Sequence, residues 1–381
     1  MADTKDWLKI LNFFQLDGRI VSVQPYGNGH INDTFLVILK EHETDSMRRE
    51  GIQPCEKRYI LQRMNDGIFR NPAELMENVV NVTSFLRGKI EKQGGDPERE
   101  TLNIIPTLDG HSFAADQNGD NWRVYRFIDD AVSYDQVEKP DDFYQSALAF
   151  GHFQQMLADF PAETLHETIP DFHHTPKRLE TFKKAVEEDV CGRAAGVREE
   201  IRFILDREAD THILQDMLER GELPLRVTHN DTKLNNVMID RETGKGLCVV
   251  DLDTVMPGLS LHDYGDSIRF GASTAAEDER DLSKVSCDME LFEIYTKGFI
   301  EGCAGSLTEA EIRMMPMGAK LMTLECGMRF LTDYLQGDVY FKIHREGQNL
   351  DRCRTQLKLV KDMEEKWAQM EAVTAKYGAH S

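Results

Sequence analysis

The 381 residues are 40% apolar and 29% charged, with a formal net charge of −22. That balance excludes a globally disordered chain. The acidity excludes general electrostatic attachment to nucleic acid or an anionic membrane, though not a locally basic pocket for phosphates. The length predicts more than one lobe. Seven cysteines are scattered without a C-x-x-C pair, the pattern of reduced thiols and not of a disulfide framework or a zinc site. The opening MADTKDWLKILNFF lacks the apolar core of a signal peptide, and no apolar run approaches the roughly 18 residues of a membrane span. A soluble, cytoplasmic protein with no nucleic-acid or membrane partner is expected.

Trp7, Ile10, Leu11 and Phe14 have helical spacing and predict a short amphipathic helix at the start. Strand-like runs follow at 19–23, 34–39 and 59–64, the first two separated by the turn-rich segment 26–30. The charged stretch 40–57 is too polar to pack and predicts a long hairpin loop. Asn71-Pro72 reads as an N-cap with proline at the first helical position, and Leu75, Val79, Val82 and Leu86 make one apolar stripe behind it. Two more strands are expected at 102–107 and 122–128. From about 141 helical patterns dominate, at 143–157, 176–190, 197–219, 288–302, 308–336 and 352–376, interrupted by a β-rich patch at 225–253. The expectation is an α+β chain: a small five-stranded lobe with one helix over residues 1–130, and a large, mainly helical lobe over 131–381.

The interruption carries the chemistry. Residues 226–253 contain His229-x-Asp231-x4-Asn236, then Asp251-x-Asp253 at the end of a second apolar strand. Phosphoryl transfer needs an aspartate to accept or orient the attacking hydroxyl. It also needs an amide oxygen and a carboxylate to hold Mg²⁺, which favours oxygen ligands. Kinase catalytic loops have this order. Gly27-Asn28-Gly29 lies between the first two strands, where a kinase fold places its phosphate-covering loop. The third strand carries Gln62 and Arg63 where a protein kinase has a lysine; strand alternation lets only one of them face a nucleotide. Glu77, which could pair with such a lysine, reads as a solvated helix residue. No Ala-Pro-Glu segment follows Asp253, so a small-molecule acceptor is expected, not a protein.

THNDTKLNN (228–236), VVDLDTVMPG (249–258) and HDYGDSIRFGAST (262–274) together resemble the aminoglycoside phosphotransferase and choline kinase superfamily. More closely, they resemble the N-acetylhexosamine 1-kinases. The likeness extends to PYGNGHIN (25–32), YILQRMN (59–65), WRVYRFI (122–128), ECGMRFL (325–331) and DYLQGDVYF (333–341), with the 40–57 insertion as the main departure. It implies a protein-kinase-like two-lobe fold with ATP in the cleft, and transfer of its γ-phosphate to the anomeric hydroxyl of N-acetylglucosamine or N-acetylgalactosamine. It implies Asp231 as catalytic base, Asn236 and Asp251 as Mg²⁺ ligands, and Asp253 as a supporting or second-metal group. Gly27, Asn28, Gly29 and Gln62 would meet the nucleotide, and Tyr125, Arg126 and Phe127 would meet adenine through their backbone. His30, Arg329 and Tyr340, with Asp231, would line the acceptor site. Each has a plainer alternative: turn structure for His30, an ion pair with Glu325 for Arg329, a core aromatic for Tyr340. Arg269 reads as a partner of Asp263 or Asp266. Kinases of choline, aminoglycosides or homoserine, and a nucleotide-binding pseudokinase, are the competing readings.

Overall fold

The computed structural model describes residues 4–27, 32–42 and 54–379. Asn28, Gly29 and His30, and most of the charged insertion, therefore lie outside the described residues. By internal packing the chain divides into two compact units, Met1–Ala131 and Val132–Ser381. The α+β class expected from the sequence is the class observed.

The first unit is built on an antiparallel sheet. Its strands are β1 (Arg19–Pro25), β2 (Asp33–Lys40), β3 (Glu56–Arg63), β4 (Ile104–Ile105), β5 (Ala114–Ala115) and β6 (Asn121–Arg126). The order is β1-β2-β3-β6-β4, with β5 also pairing β6. The sixth strand corrects the five expected. It is two alanines long, too short for alternation to show, and it exists because Asp116 organises the following turn by accepting the amides of Asn118 and Asp120. The β2–β3 hairpin runs in register out to Lys40 and Glu56, on either side of the insertion.

One sheet face packs Leu11 of α1 (Thr4–Leu11) and Phe14 on Val37, Leu61, Trp122 and Val124. Helix α2 (Pro72–Gln93) starts where Asn71 Oδ1 accepts the Glu74 amide and buries Leu75, Val79, Val82 and Leu86, the predicted stripe. The one-turn α3 spans Pro97–Glu100.

The second unit holds α4 (Pro140–Met156), α5 (Thr175–Glu188), α6 (Arg198–Leu205), α7 (Glu208–Glu219), α8 (Ser260–Gly271), α9 (Met289–Cys303), α10 (Glu309–Gln336), α11 (Gln348–Glu365) and α12 (Trp367–Gly378). Two helices expected as single pieces are broken. At Arg207 a side chain takes over from the main chain: Nη1 donates to the Phe203 carbonyl, while the Arg207 amide turns to Ile204. At Lys366 the ammonium reaches Asp362, Ser286 Oγ and the Cys287 carbonyl, and the chain bends between α11 and α12. Helix α8 escaped the sequence reading; it is buried on nearly every side, with His262, Asp263, Asp266 and Arg269 among its buried residues.

Helix α10 is the axis of this unit. A capping box of Thr308 and Glu311 starts it, and Leu324, Met328, Leu331 and Leu335 pack with Leu179 and Phe182 of α5 and with Cys353, Leu357 and Val360 of α11. Helix α8 crosses α10 backbone to backbone. A Cβ on Gly265 would lie 2.3 Å from the Gly318 carbonyl oxygen, and one on Gly318 would lie 2.8 Å from the Leu261 oxygen. Gly265→Ala should therefore push the helices apart and destabilise the protein by about 1–3 kcal/mol, the usual cost of overpacking. Denaturant unfolding checks this; unchanged stability would mean the crossing relaxes freely.

Candidate active site

The second unit's short strands are β7 (Arg226–Thr228), β8 (Val237–Asp240), β9 (Gly246–Val249) and β10 (Met256–Gly258). β7 pairs with β10, and β8 with β9. The predicted catalytic residues sit in the loop that leaves β7 and in the turn that follows β9.

Residues 229–232 are in no regular element, so their backbone groups need other partners. Side chains supply all of them. Asp263 accepts the His229 amide at 2.9 Å and the Asn230 amide at 2.7 Å. His229 Nδ1 accepts the Asp231 amide at 3.3 Å, and Asp266 accepts the Thr232 amide at 3.0 Å. The four carbonyls are met by Thr254 Oγ1 (2.6 Å), a ring nitrogen of His173 (3.3 Å), Asn236 Nδ2 (2.8 Å) and Ser267 Oγ (2.7 Å). His229 Nε2 donates to the Val250 carbonyl at 2.9 Å, which ties the loop to the end of β9. Asn230 holds a left-handed backbone, φ 64°, in the middle of this set.

The loop presents Asp231, 23% exposed, whose Oδ1 pairs with Lys233 Nζ at 2.8 Å. Burial pushes its carboxyl up, but the Lys233 charge and hydrogen bond outweigh that and hold it below the usual carboxylate value. The same pairing raises the Lys233 ammonium. Lys233 went unnoticed in the sequence; its signal was a cation two residues beyond the aspartate.

Asn236 spends its amide nitrogen on the Asp231 carbonyl, so its amide oxygen is the atom that could take a cation. Asp251 is exposed and left-handed, φ 59°, a conformation that Asp tolerates better than most residues and that marks functional turns. Asp253 is buried, at 3% exposure, in the 3-10 turn behind it. Among the described residues no cluster of three or more His, Cys, Asp or Glu side chains forms a closed metal cage. An amide oxygen and an open carboxylate suit Mg²⁺, which binds through one or two carboxylates plus phosphates and keeps its waters.

The alternative of an Arg329–Glu325 ion pair is not what the structure shows. Glu325 is taken by His173 Nδ1 at 2.8 Å and Thr175 Oγ1 at 2.6 Å. Burial pushes its carboxyl up, yet the His173 charge and hydrogen bond hold it down at about 2. Arg329 instead lies over the rings of Phe172 (5.1 Å), Phe341 (5.5 Å) and Tyr340 (5.7 Å), with Nη2 3.4 Å from the Tyr340 hydroxyl. Tyr340 is 56% exposed and so is no core aromatic. Its loop is held by Asp333, which accepts the amides of Val339, Tyr340 and Phe341 at 2.7–2.9 Å. Arg178, missed by the sequence reading, donates through Nε and Nη2 to the Phe172 carbonyl. Burial, then the neighbouring Arg329 charge, lowers its pKa. Arg269 pairs with Asp266 at 2.8 Å and with Glu277 at 2.9 Å, not with Asp263. His262 is buried beside His173, and burial drives its imidazole down to about 3.

In the first unit both Gln62 and Arg63 have protein partners. Arg63 is committed to Asp33 and Asp120. Gln62 donates to Thr34 Oγ1 at 3.1 Å and accepts from Arg123 at 2.8 and 3.0 Å. Arg123 is 1% exposed and stands opposite Gln62 on β6; sequence reasoning missed it as one arginine in an apolar strand. Glu77 is exposed. Gly27 is left-handed, φ 75°, at the end of the β1 arm. The amides of Arg126 and Phe127 are used by the carbonyls of Asn103 (2.8 Å) and Arg58 (3.1 Å).

Residues 22–284 match the model of the phosphotransferase enzyme family. The chain belongs to that family. Among solved structures, this phosphotransferase is similar to an aminoglycoside phosphotransferase from Alicyclobacillus acidocaldarius subsp. acidocaldarius, at 11% identity and a TM-score of 0.61, covering 99% of this chain and 97% of that one. A choline kinase from Cryptosporidium parvum is 14% identical, with a TM-score of 0.56 and coverage of 97% and 98%. A spectinomycin phosphotransferase solved with ADP and spectinomycin is 12% identical, with a TM-score of 0.52 and coverage of 96% and 99%. At such identities the likeness establishes the fold, which is the kinase-like one expected.

Glu325 gives a pH dependence with a definite sign. Its folded value, about 2, lies below the ordinary 4.5. It therefore contributes stability that is present above about pH 4.5 and lost as pH falls towards 2. Native protein should be more stable than Glu325→Gln near neutrality, and the gap should close between about pH 4.5 and 2. Denaturant midpoints across that range check it; a gap independent of pH would show that Glu325 is not the ionised partner.

Proposed function

We propose that this phosphotransferase is an ATP-dependent N-acetylhexosamine 1-kinase, phosphorylating the anomeric hydroxyl of N-acetylglucosamine or N-acetylgalactosamine. Asp231 orients the sugar hydroxyl and accepts its proton. Its lowered pKa keeps it ionised, and a loose phosphoryl-transfer transition state asks more for orientation than for a strong base. Lys233, alongside, offers a positive charge to the transferring phosphoryl group. Asn236 and Asp251 would hold Mg²⁺, with Asp253 supporting them; when bound, the ion offsets the phosphate charge. Gly27, with Asn28 and Gly29, and Gln62 would meet the phosphates of the nucleotide, and the ADP in the spectinomycin phosphotransferase supports a nucleotide co-substrate.

The observation that favours an N-acetylated sugar is the pair Arg178 and Arg329. Neither has a carboxylate within salt-bridge distance among the described residues, in a chain of net charge −22. An ammonium acceptor needs acids or an open aromatic cage. Here Phe172, Tyr340 and Phe341 surround Arg329 itself, so the cage is already filled by a cation. Guanidinium donors suit the hydroxyls and amide carbonyl of an N-acetylhexosamine. Tyr340 adds a hydroxyl, and His30 remains part of the proposed acceptor site.

An acceptor panel read by ADP release tests this. N-acetylglucosamine and N-acetylgalactosamine should turn over, while glucosamine, choline and kanamycin should be poor. Turnover of choline or kanamycin without turnover of the acetylated sugars would refute the proposal. Arg329→Ala should raise KM for the sugar, lowering kcat/KM by about 10–150-fold, the loss of one charge-assisted hydrogen bond. KM for ATP should stay within a few-fold. An unchanged sugar KM would remove Arg329 from the acceptor site.

A further inference from the structure

Of the eight backbone holds on residues 229–232, seven come from side chains between His229 and Ser267. The eighth comes from His173, 57 residues upstream of its acceptor, the carbonyl of Asn230. That carbonyl belongs to the peptide unit that joins left-handed Asn230 to Asp231, so whatever fixes its plane also fixes the amide and Cα of Asp231. The other ring nitrogen of His173 faces Glu325 Oε1 at 2.8 Å. A main-chain carbonyl can only accept, so Nε2 donates to Asn230 and Nδ1 is the nitrogen that faces Glu325.

We propose that His173 is a positioning residue for phosphoryl transfer, setting the direction of Asp231 by donating to the Asn230 carbonyl while Glu325 on α10 holds the ring in place. Thr175 steadies the second Glu325 oxygen, and the rings of Phe172 and His262 confine the imidazole at 4.4 and 5.2 Å. The other charged groups near this pair are Arg329 and Arg178, whose charges act on Glu325 or are acted on by it. The chain thus joins its longest helix to its catalytic loop through a single ring. The inference rests on the reading of Asp231 as the group that orients the acceptor.

The test uses His173→Gln, Glu325→Gln and the double variant, assayed in the full-length protein well below each melting temperature. In His173→Gln the new amide cannot donate to both neighbours, so kcat should fall about 10–100-fold, as for a misplaced catalytic group. KM for ATP and for sugar should stay within about three-fold. In the double variant the two introduced amides can pair with each other, while the one at position 173 still donates to the Asn230 carbonyl. Turnover should then exceed that of His173→Gln alone, a coupling that a double-mutant cycle reads directly. Native kcat in His173→Gln, a loss confined to sugar KM, or additive losses would overturn the proposal. Should His173→Gln fail to fold, Glu325→Gln carries the test, with native kcat as the contrary result. Asp231→Asn, run alongside, separates the two claims. If it retains turnover, the reading of Asp231 is wrong; if it is inactive while His173→Gln is native, only the positioning role is wrong.

Discussion

An irregular loop has to find a partner for every main-chain group it takes out of water, and the loop that carries Asp231 finds all of them in side chains. Four amides and four carbonyls, from His229 to Thr232, are each met by a named residue. An unpaired buried amide or carbonyl costs about 1–3 kcal/mol, so none of these partners is incidental. The arrangement gives rigidity without regular structure. It lets a left-handed Asn230 and a partly exposed Asp231 persist where a helix or strand would have dictated their direction.

The rest of the second unit can be understood as what keeps those partners in place. Asp263, Asp266 and Ser267 all sit on α8, so the height of α8 above the loop matters, and the Gly265–Gly318 crossing brings it down onto α10 with no side chain between. Arg269 balances Asp266, and Asp263 is surrounded by the loop amides and Gln154. Burial raises the Asp263 carboxyl although the hydrogen bonds it accepts act the other way. Further along α10, Glu325 and Arg329 are one turn apart but serve different neighbours: Glu325 turns to His173, Arg329 to the aromatic rings. One helix thereby supports both the direction of the aspartate and the proposed choice of substrate.

The sequence made the candidate site residues legible and hid their supports. His229, Asp231, Asn236, Asp251 and Asp253 stood out because phosphoryl transfer needs those types in that order. The stripe of α2 and the cap at Asn71 were readable because they repeat known local chemistry. Three things had no local signature. The holds on the loop come from residues such as Thr254, Ser267 and His173 whose roles arise only on folding. The two breaks in the long helices arise from Arg207 and Lys366 making main-chain bonds that no periodicity predicts. Buried Arg123 opposite Gln62 needs the strand register before it can be seen. The plainer alternative of an Arg329–Glu325 pair shows the limit from the other side: at a correct i,i+4 spacing, Glu325 is taken by a distant histidine.

Phosphorus NMR of the product formed from ATP and N-acetylglucosamine tests the proposed chemistry most directly. If Asp231 addresses the anomeric hydroxyl, the product is a sugar monoester whose phosphorus couples to the anomeric proton. A phosphorus coupled instead to ring or C6 protons, or no phosphosugar from a preparation that phosphorylates choline or an aminoglycoside, would contradict it.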